Sequence, residues 1–114
     1  MNIKDIGNIN FNDFSCLIFT GTCLAAEPSR LATFNAIDKA KINHIPIILD
    51  IDYRPYTWST AKEASEVYMR ASKNSDIVIV SIFLNPLQFE SKKNFQSYPI
   101  NILKDKKKIM SENI

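Results

Sequence analysis

Glycine is nearly absent from this chain, which has only Gly7 and Gly21. Sites that hold phosphate through backbone amides need several glycines for close approach. Neither a P-loop nor a dinucleotide-binding fingerprint is present. Cysteine is equally scarce. Cys16 and Cys23 form no disulfide framework, and a reduced cytosol is the expected compartment. Cys16 falls in an apolar stretch and reads as a small packed hydrophobe. The one histidine, His44, stands at a predicted helix exit and reads as a solvated C-cap residue, not a ligand or base. No apolar run approaches the roughly 18 residues that a membrane span needs. Residues 1–12 are polar and carry no basic-then-apolar leader. The expectation is a soluble, cytoplasmic protein. A net charge of +2 is too small to argue for nucleic acid. The basic residues are spread out except in the run Lys104-Asp105-Lys106-Lys107-Lys108. That run reads as a solvated helix face, with an anion-binding patch as the alternative.

What is present is enough for a core. At 114 residues the chain is one domain or less, and a hydrophobic share of 46% argues against disorder throughout. The organising stretch is residues 45–58, IPIILDIDYRPYTW. Its apolar start suits a buried strand of a parallel sheet, and Pro46 is tolerable at the strand's beginning. Asp50, Asp52 and Arg54 follow at once. Ligands of open α/β sheets sit just past the carboxyl ends of such strands, so these three residues are the first candidates for a site. An ion pair of Arg54 with Asp50 or Asp52 that merely closes the loop is the competing reading. Trp58 and Tyr56 read as packing residues more readily than as stacking platforms.

In chain order, residues 1–13 are Asn-rich and predicted to be irregular. Residues 14–20, FSCLIFT, form the first predicted strand, and Gly21 and Thr22 turn the chain out of it. Glu27-Pro28-Ser29 opens a helix predicted over about 29–43, with Leu31, Phe34, Ile37 and Ala40 as its sheet-facing stripe. After the strand at 45–51 and the polar loop, Thr60 with Glu63 makes a capping box. The helix it opens runs to about residue 73, with Ala64, Val67, Tyr68 and Ala71 on one face. Residues 77–83, IVIVSIF, form the third predicted strand. Strand–helix–strand–helix–strand with short connections implies parallel strands and right-handed crossovers.

Two motifs carry a family resemblance in the first part. Asp50-Ile51-Asp52-Tyr53-Arg54-Pro55-Tyr56-Thr57-Trp58 resembles the D-x-N-x-R-x-x-x-W signature of PfkB-type (ribokinase-like) sugar kinases, with Asp52 where most of the family has Asn. Gly21-Thr22-Cys23-Leu24-Ala25-Ala26-Glu27-Pro28-Ser29-Arg30 points the same way. Both look most like the 2-deoxy-5-ketogluconate kinases of inositol breakdown. The resemblance spans about residues 10–78. It implies an α/β fold: a three-layer partial parallel sheet (β-α-β-α-β) with a C-terminal helix, a fragment of a ribokinase-like or Rossmann-like fold. It also implies ATP-dependent phosphorylation of a keto-sugar acid, with ATP and Mg2+ as cofactors and Asp52 and Arg54 beside the sugar and nucleotide phosphates. Arg suits that role because its planar fork pairs with phosphate or carboxylate. The family's G-A-G-D anion hole and its N-x-x-E magnesium motif are missing. No catalytic residue and no metal ligand is therefore assigned, and the isolated chain is expected to be inactive.

From about residue 77 the resemblance changes. Val80-Ser81-Ile82-Phe83-Leu84-Asn85-Pro86-Leu87-Gln88-Phe89 resembles the VSIFVNPxQF motif of pantothenate synthetase (pantoate–β-alanine ligase). Asn94-Phe95-Gln96-Ser97-Tyr98-Pro99 and Asp105 follow that family's next motif, with Ile100 where it has Arg. By position Gln88 would contact pantoate and β-alanine, although the family's H-x-G-H nucleotide motif is absent. The two resemblances meet at SDIVIV, so the expected division is a kinase-like region over 1–78 and a synthetase-like segment over 79–114. A non-catalytic α/β module that self-associates through exposed sheet edges is the third reading. No nucleic-acid or membrane partner is expected.

Overall fold

The computed structural model describes residues 1–81, 96 and 101–111. The chain divides into two compact units, Met1–Val80 and Ser81–Ile114. In the first unit three parallel strands stand in the order β1 (Leu17–Thr20), β2 (Ile47–Asp50), β3 (Ile77–Ile79). Leu17 pairs with Ile47 and Thr20 with Asp50, while Ile48 pairs with Ile77 and Asp50 with Ile79. The fold is α/β, as the alternation of apolar runs and amphipathic stretches implied.

The strands are shorter than expected. Phe14 stays out of β1 because a 3-10 turn, Phe11–Asp13, capped by the Asn10 side chain, ends on it. Cys16 also precedes the strand. The N-terminal stretch is not irregular. A short helix α1, Ile3–Gly7, is closed by a capping box between Asn2 and Asp5, and it sends Ile6 into the core. The Lys39 ammonium donates to the carbonyls of Ile6 and Gly7 at 3.1 and 3.3 Å, tying this turn to the next helix.

That helix, α2 (Ser29–Ile42), opens where the sequence predicted. Pro28 is its cap residue, and the Glu27 carboxylate accepts from the Leu31 N–H at 3.0 Å. The buried face is Ala32, Thr33, Phe34, Ala36, Ile37 and Ala40, and Leu31 is exposed, contrary to the expected stripe. A strict threefold repeat drifts round a helix of 3.6 residues per turn. Leu31 therefore ends on the far side from Ala40. His44 is exposed and sits one position beyond the cap Asn43.

Helix α3 (Ala61–Ser72) starts on Thr60, whose hydroxyl accepts from the Glu63 N–H at 3.0 Å. Ala64 and Ala71 are buried, with Val67 and Tyr68 packed against the same core. At its end the Asn74 amide donates to the Arg70 carbonyl and the Ser75 hydroxyl to that of Ala71. Asp76 then joins β2 at both ends of its own residue: its N–H donates to the Ile47 carbonyl, and its carboxylate accepts from the Ile47 N–H. One face of the sheet, through Phe19, Ile47 and Leu49, is buried with the helices. The other carries Ile18, Ile77 and Ile79, all exposed.

In the second unit, α4 (Ile102–Ser111) is amphipathic and has no buried residue. The Lys104–Lys108 run lies on it, solvated as expected.

Candidate functional site

The carboxyl ends of β1 and β2 bring two polar loops side by side. Thr20 and Asp50 are register partners at the two strand ends. Beyond Thr20 the chain turns through a 3-10 segment, Gly21–Leu24. There the hydroxyls of Thr20 and Thr22 lie 2.7 Å apart, and the Cys23 thiol is 3.8 Å from Thr20. Beyond Asp50 the chain runs through Asp52, held at φ 32°. Asp is among the few residues that tolerate this left-handed region.

Asp52 and Arg54 form an ion pair. Arg54 Nε donates to Asp52 Oδ1 at 3.0 Å, and Nη2 lies 2.9 Å from the same oxygen. The Arg54 side chain is 52% exposed and Asp52 28%. Hydrogen bonding and charge from Asp52 raise the guanidinium pKa further, so Arg54 is a permanent cation. A guanidinium has five N–H donors, more than the pair with Asp52 occupies. Asp50 takes no part in this pair.

The loop is wrapped on Tyr68 of α3. Tyr53 meets the Tyr68 ring edge-on at 6.0 Å, and Trp58 packs on it at 5.3 Å. Trp58 is buried and Tyr56 is exposed, so packing explains the first and not the second. Among the described residues neither the Trp58 indole nitrogen nor the Tyr68 hydroxyl has a hydrogen-bond partner. Burial, with the Asp52 charge adding, pushes the Tyr68 pKa up to about 12. The Trp58 N–H opposes that shift from a position that falls short of a hydrogen bond.

Arg30 clamps the two loops from the side. Its Nε donates to the Leu24 carbonyl and its Nη2 to that of Ala25, both at 2.7 Å. Nη2 also meets Glu63 Oε1 at 2.8 Å, and the guanidinium lies over the Trp58 ring at 5.3 Å. Sequence reasoning quoted Arg30 as part of a motif and placed Tyr68 on a core face without giving either a role. Arg30 directly follows the Pro-Ser start of a helix, and Glu63 occupies the third position of the next. Those positions are the only trace of the clamp in the sequence. Gln88, with the rest of its motif, lies outside the described residues.

Comparison with known proteins follows from this geometry. A protein-family model described as pantoate-beta-alanine ligase matches residues 64–114. The 5-dehydro-2-deoxygluconokinase of Geobacillus kaustophilus is 42% identical over 76 residues, 67% of this chain and 23% of that protein. Its counterpart in Mesomycoplasma hyopneumoniae is 46% identical over 65 residues, 57% of this chain and 19% of that protein. The chain is similar to two enzyme families. A solved fructokinase of Vibrio cholerae, bound to fructose, ADP and calcium ion, superposes with a TM-score of 0.54 at 28% identity. It covers 63% of this chain and 25% of its own. Its apo form gives a TM-score of 0.51 at 29% identity, over 60% and 26%. Both likenesses read from the motifs are thus found, and the chain spans about a quarter of the length of the first curated relative. The ligase match begins at residue 64, inside α3. A helix that buries one face and leads into an apolar strand serves either family.

ATP and Mg2+ are implied by the kinase likeness. Among the described residues no group of three or more His, Cys, Asp or Glu could hold a metal ion. With Gly21 the only glycine at the site, a backbone cradle for phosphates is lacking as well. The described residues do not fit a magnesium nucleotide. Among those residues no helix is long and apolar enough to cross a membrane.

Proposed function

We propose that this chain is the anion-binding portion of a sugar-kinase-like fold and not a complete catalyst. Its loop past β2 takes the carboxylate of a keto-sugar acid of the 5-dehydro-2-deoxygluconate class. The observation that carries this is the Arg54 guanidinium. It is held on one edge by Asp52 Oδ1, and its side chain stays half-exposed in the loop past the carboxyl end of β2. A guanidinium oriented before binding loses less entropy on meeting a carboxylate. Phosphoryl transfer needs, in addition, an electrostatic cradle for the moving phosphate, and these residues supply none. The family reaction, ATP-dependent phosphorylation of such an acid, is therefore beyond this chain alone.

Thermal-shift titration tests the reading. A ligand at 100-fold its Kd stabilises by roughly 2.7 kcal/mol. Saturable stabilisation by the sugar acid, absent in Arg54→Ala, is the expected result. No shift in the wild-type chain overturns the binding reading. ATP-dependent turnover of the acid by pure protein overturns the inactivity.

The ligase match over residues 64–114 favours a second reading, a pantoate–β-alanine ligase segment in which Gln88 contacts pantoate. Stabilisation by pantoate that is lost in Gln88→Ala supports it, and a shift that is the same in both chains removes it.

A further inference from the structure

Strand alternation puts Ile18, Ile48, Ile77 and Ile79 on the sheet face opposite the buried Phe19, Ile47 and Leu49. The register aligns the first three as one row across all three strands, Ile18 to Ile48 to Ile77. Ile18 is 62% exposed, Ile77 52% and Ile79 48%. Aliphatic β-branched side chains at this exposure on both outer strands, with the partly buried Ile48 between them, are unusual in a soluble sheet. One face of a parallel sheet is seldom left bare, since parallel sheets are covered on both faces.

We propose that this face is the interface of a homodimer, in which two copies of the chain stack their isoleucine rows across a two-fold axis. Three features favour a second copy over an unlike partner. The row is flat and made of a single residue type, so it is complementary to itself, as an isologous contact requires. The one charge in the next row is Asp50, which lies between Thr20 and Ile79. With strands antiparallel across the axis, the two Asp50 carboxylates fall at opposite rims and stay hydrated. A charged partner would find nothing else on the face to pair with. The area also fits. Three half-exposed isoleucines and the partly buried Ile48 offer roughly 350 Å² of apolar surface per copy, the size of patch that is often functional. Two such patches with their rim reach about the 1,000 Å² that a specific contact needs. The strand edges are the competing surface, but strands of four and three residues offer little to pair with. This inference needs no ligand and is independent of the anion-site reading.

The test is the mass of the full-length chain in solution by light scattering, from about 1 to about 500 μM, the range for a contact of this size. The expected result is a rise from 13.0 kDa to a plateau at twice that value. Ile18→Lys and Ile77→Lys, both at exposed positions, should return the plateau to one protomer. A protein that stays monomeric throughout overturns the proposal. So does a mass that climbs past two protomers, the signature of open edge-to-edge strand addition. A conservative variant settles the geometry without charge. With Cys16 and Cys23 replaced by Ser, Ile48→Cys lies on the central strand, which edge pairing cannot reach. Oxidative cross-linking into a dimer at this position supports stacked faces, and its failure in a chain that dimerises overturns them.

Discussion

Gly21 and Tyr68 are in contact across the site, and only the absence of a side chain on Gly21 allows it. A Cβ there would fall inside the van der Waals radii of both the Tyr68 hydroxyl and the Ile51 carbonyl oxygen. The close approach joins the turn after β1, the loop after β2 and helix α3 at one point. Gly21→Ala is expected to destabilise the first unit by about 3 kcal/mol, the upper range for overpacking. Removing the hydroxyl should not rescue it, because the Ile51 carbonyl is backbone and cannot move aside cheaply. Urea unfolding of Gly21→Ala and of Gly21→Ala/Tyr68→Phe checks both statements; full rescue by the second change would refute the role given to Ile51.

The Tyr68 hydroxyl is buried with no partner among the described residues, so Tyr68→Phe should be neutral or stabilising, by up to about 1 kcal/mol. The pH dependence follows from its raised pKa, about 12 against an ordinary 10. The folded state holds the phenol proton more tightly than the unfolded state does. That contribution to stability is complete below pH 10 and is lost as pH rises through about 12. Wild type should therefore lose stability over that window faster than Tyr68→Phe. Parallel melting curves for the two proteins would contradict the shift, as would phenolate absorbance from Tyr68 appearing near pH 10.

Much of this arrangement was legible in the sequence. LIFT, IILD and IVI are strands because short β-branched runs between polar breaks have few alternatives. Asp52 and Arg54 stand just past the carboxyl end of β2, where the strand prediction put them. The N-terminal helix was missed because asparagine was read as a loop former, when Asn2 and Asn10 are the caps of two helical turns. Leu31 was misplaced because a repeat of three was taken for a helical face. The Arg30–Glu63 pair joins residues 33 positions apart, and no local pattern encodes such a contact. The setting of the Tyr68 hydroxyl depends on packing from the turn after β1 and the loop after β2, which only the folded chain shows.

His44 has φ 54° and sits at the position after the α2 cap where glycine is the usual residue. Its N–H donates to the Lys41 carbonyl and that of Ile45 to Ala40, the paired bonds of a Schellman ending. A side chain in this left-handed conformation is strained, so His44→Gly should stabilise by about 0.5–1 kcal/mol after glycine's own entropy loss. His44→Ala should bring no such gain. Equal stability of the Gly and Ala variants would show that the histidine is not under strain.

Arg30 holds two carbonyls of the turn after β1, the Glu63 carboxylate and the Trp58 face at once. Its side chain is only 20% exposed, so the pair is less screened than a surface ion pair. Arg30→Ala should cost about 2 kcal/mol or more, within the range for charged hydrogen bonds. It should also change the emission of Trp58, the chain's single tryptophan, through loss of the overlying cation. Arg30→Lys should recover little, since one ammonium cannot span carbonyls and carboxylate in the plane that a guanidinium does. Coupling to Glu63 is separable by a double-mutant cycle with Glu63→Gln. A coupling energy near zero would leave the turn carbonyls as the whole of Arg30's contribution. A value of roughly 1 kcal/mol or more would make Arg30 the tie between helix α3 and the turn that carries Gly21.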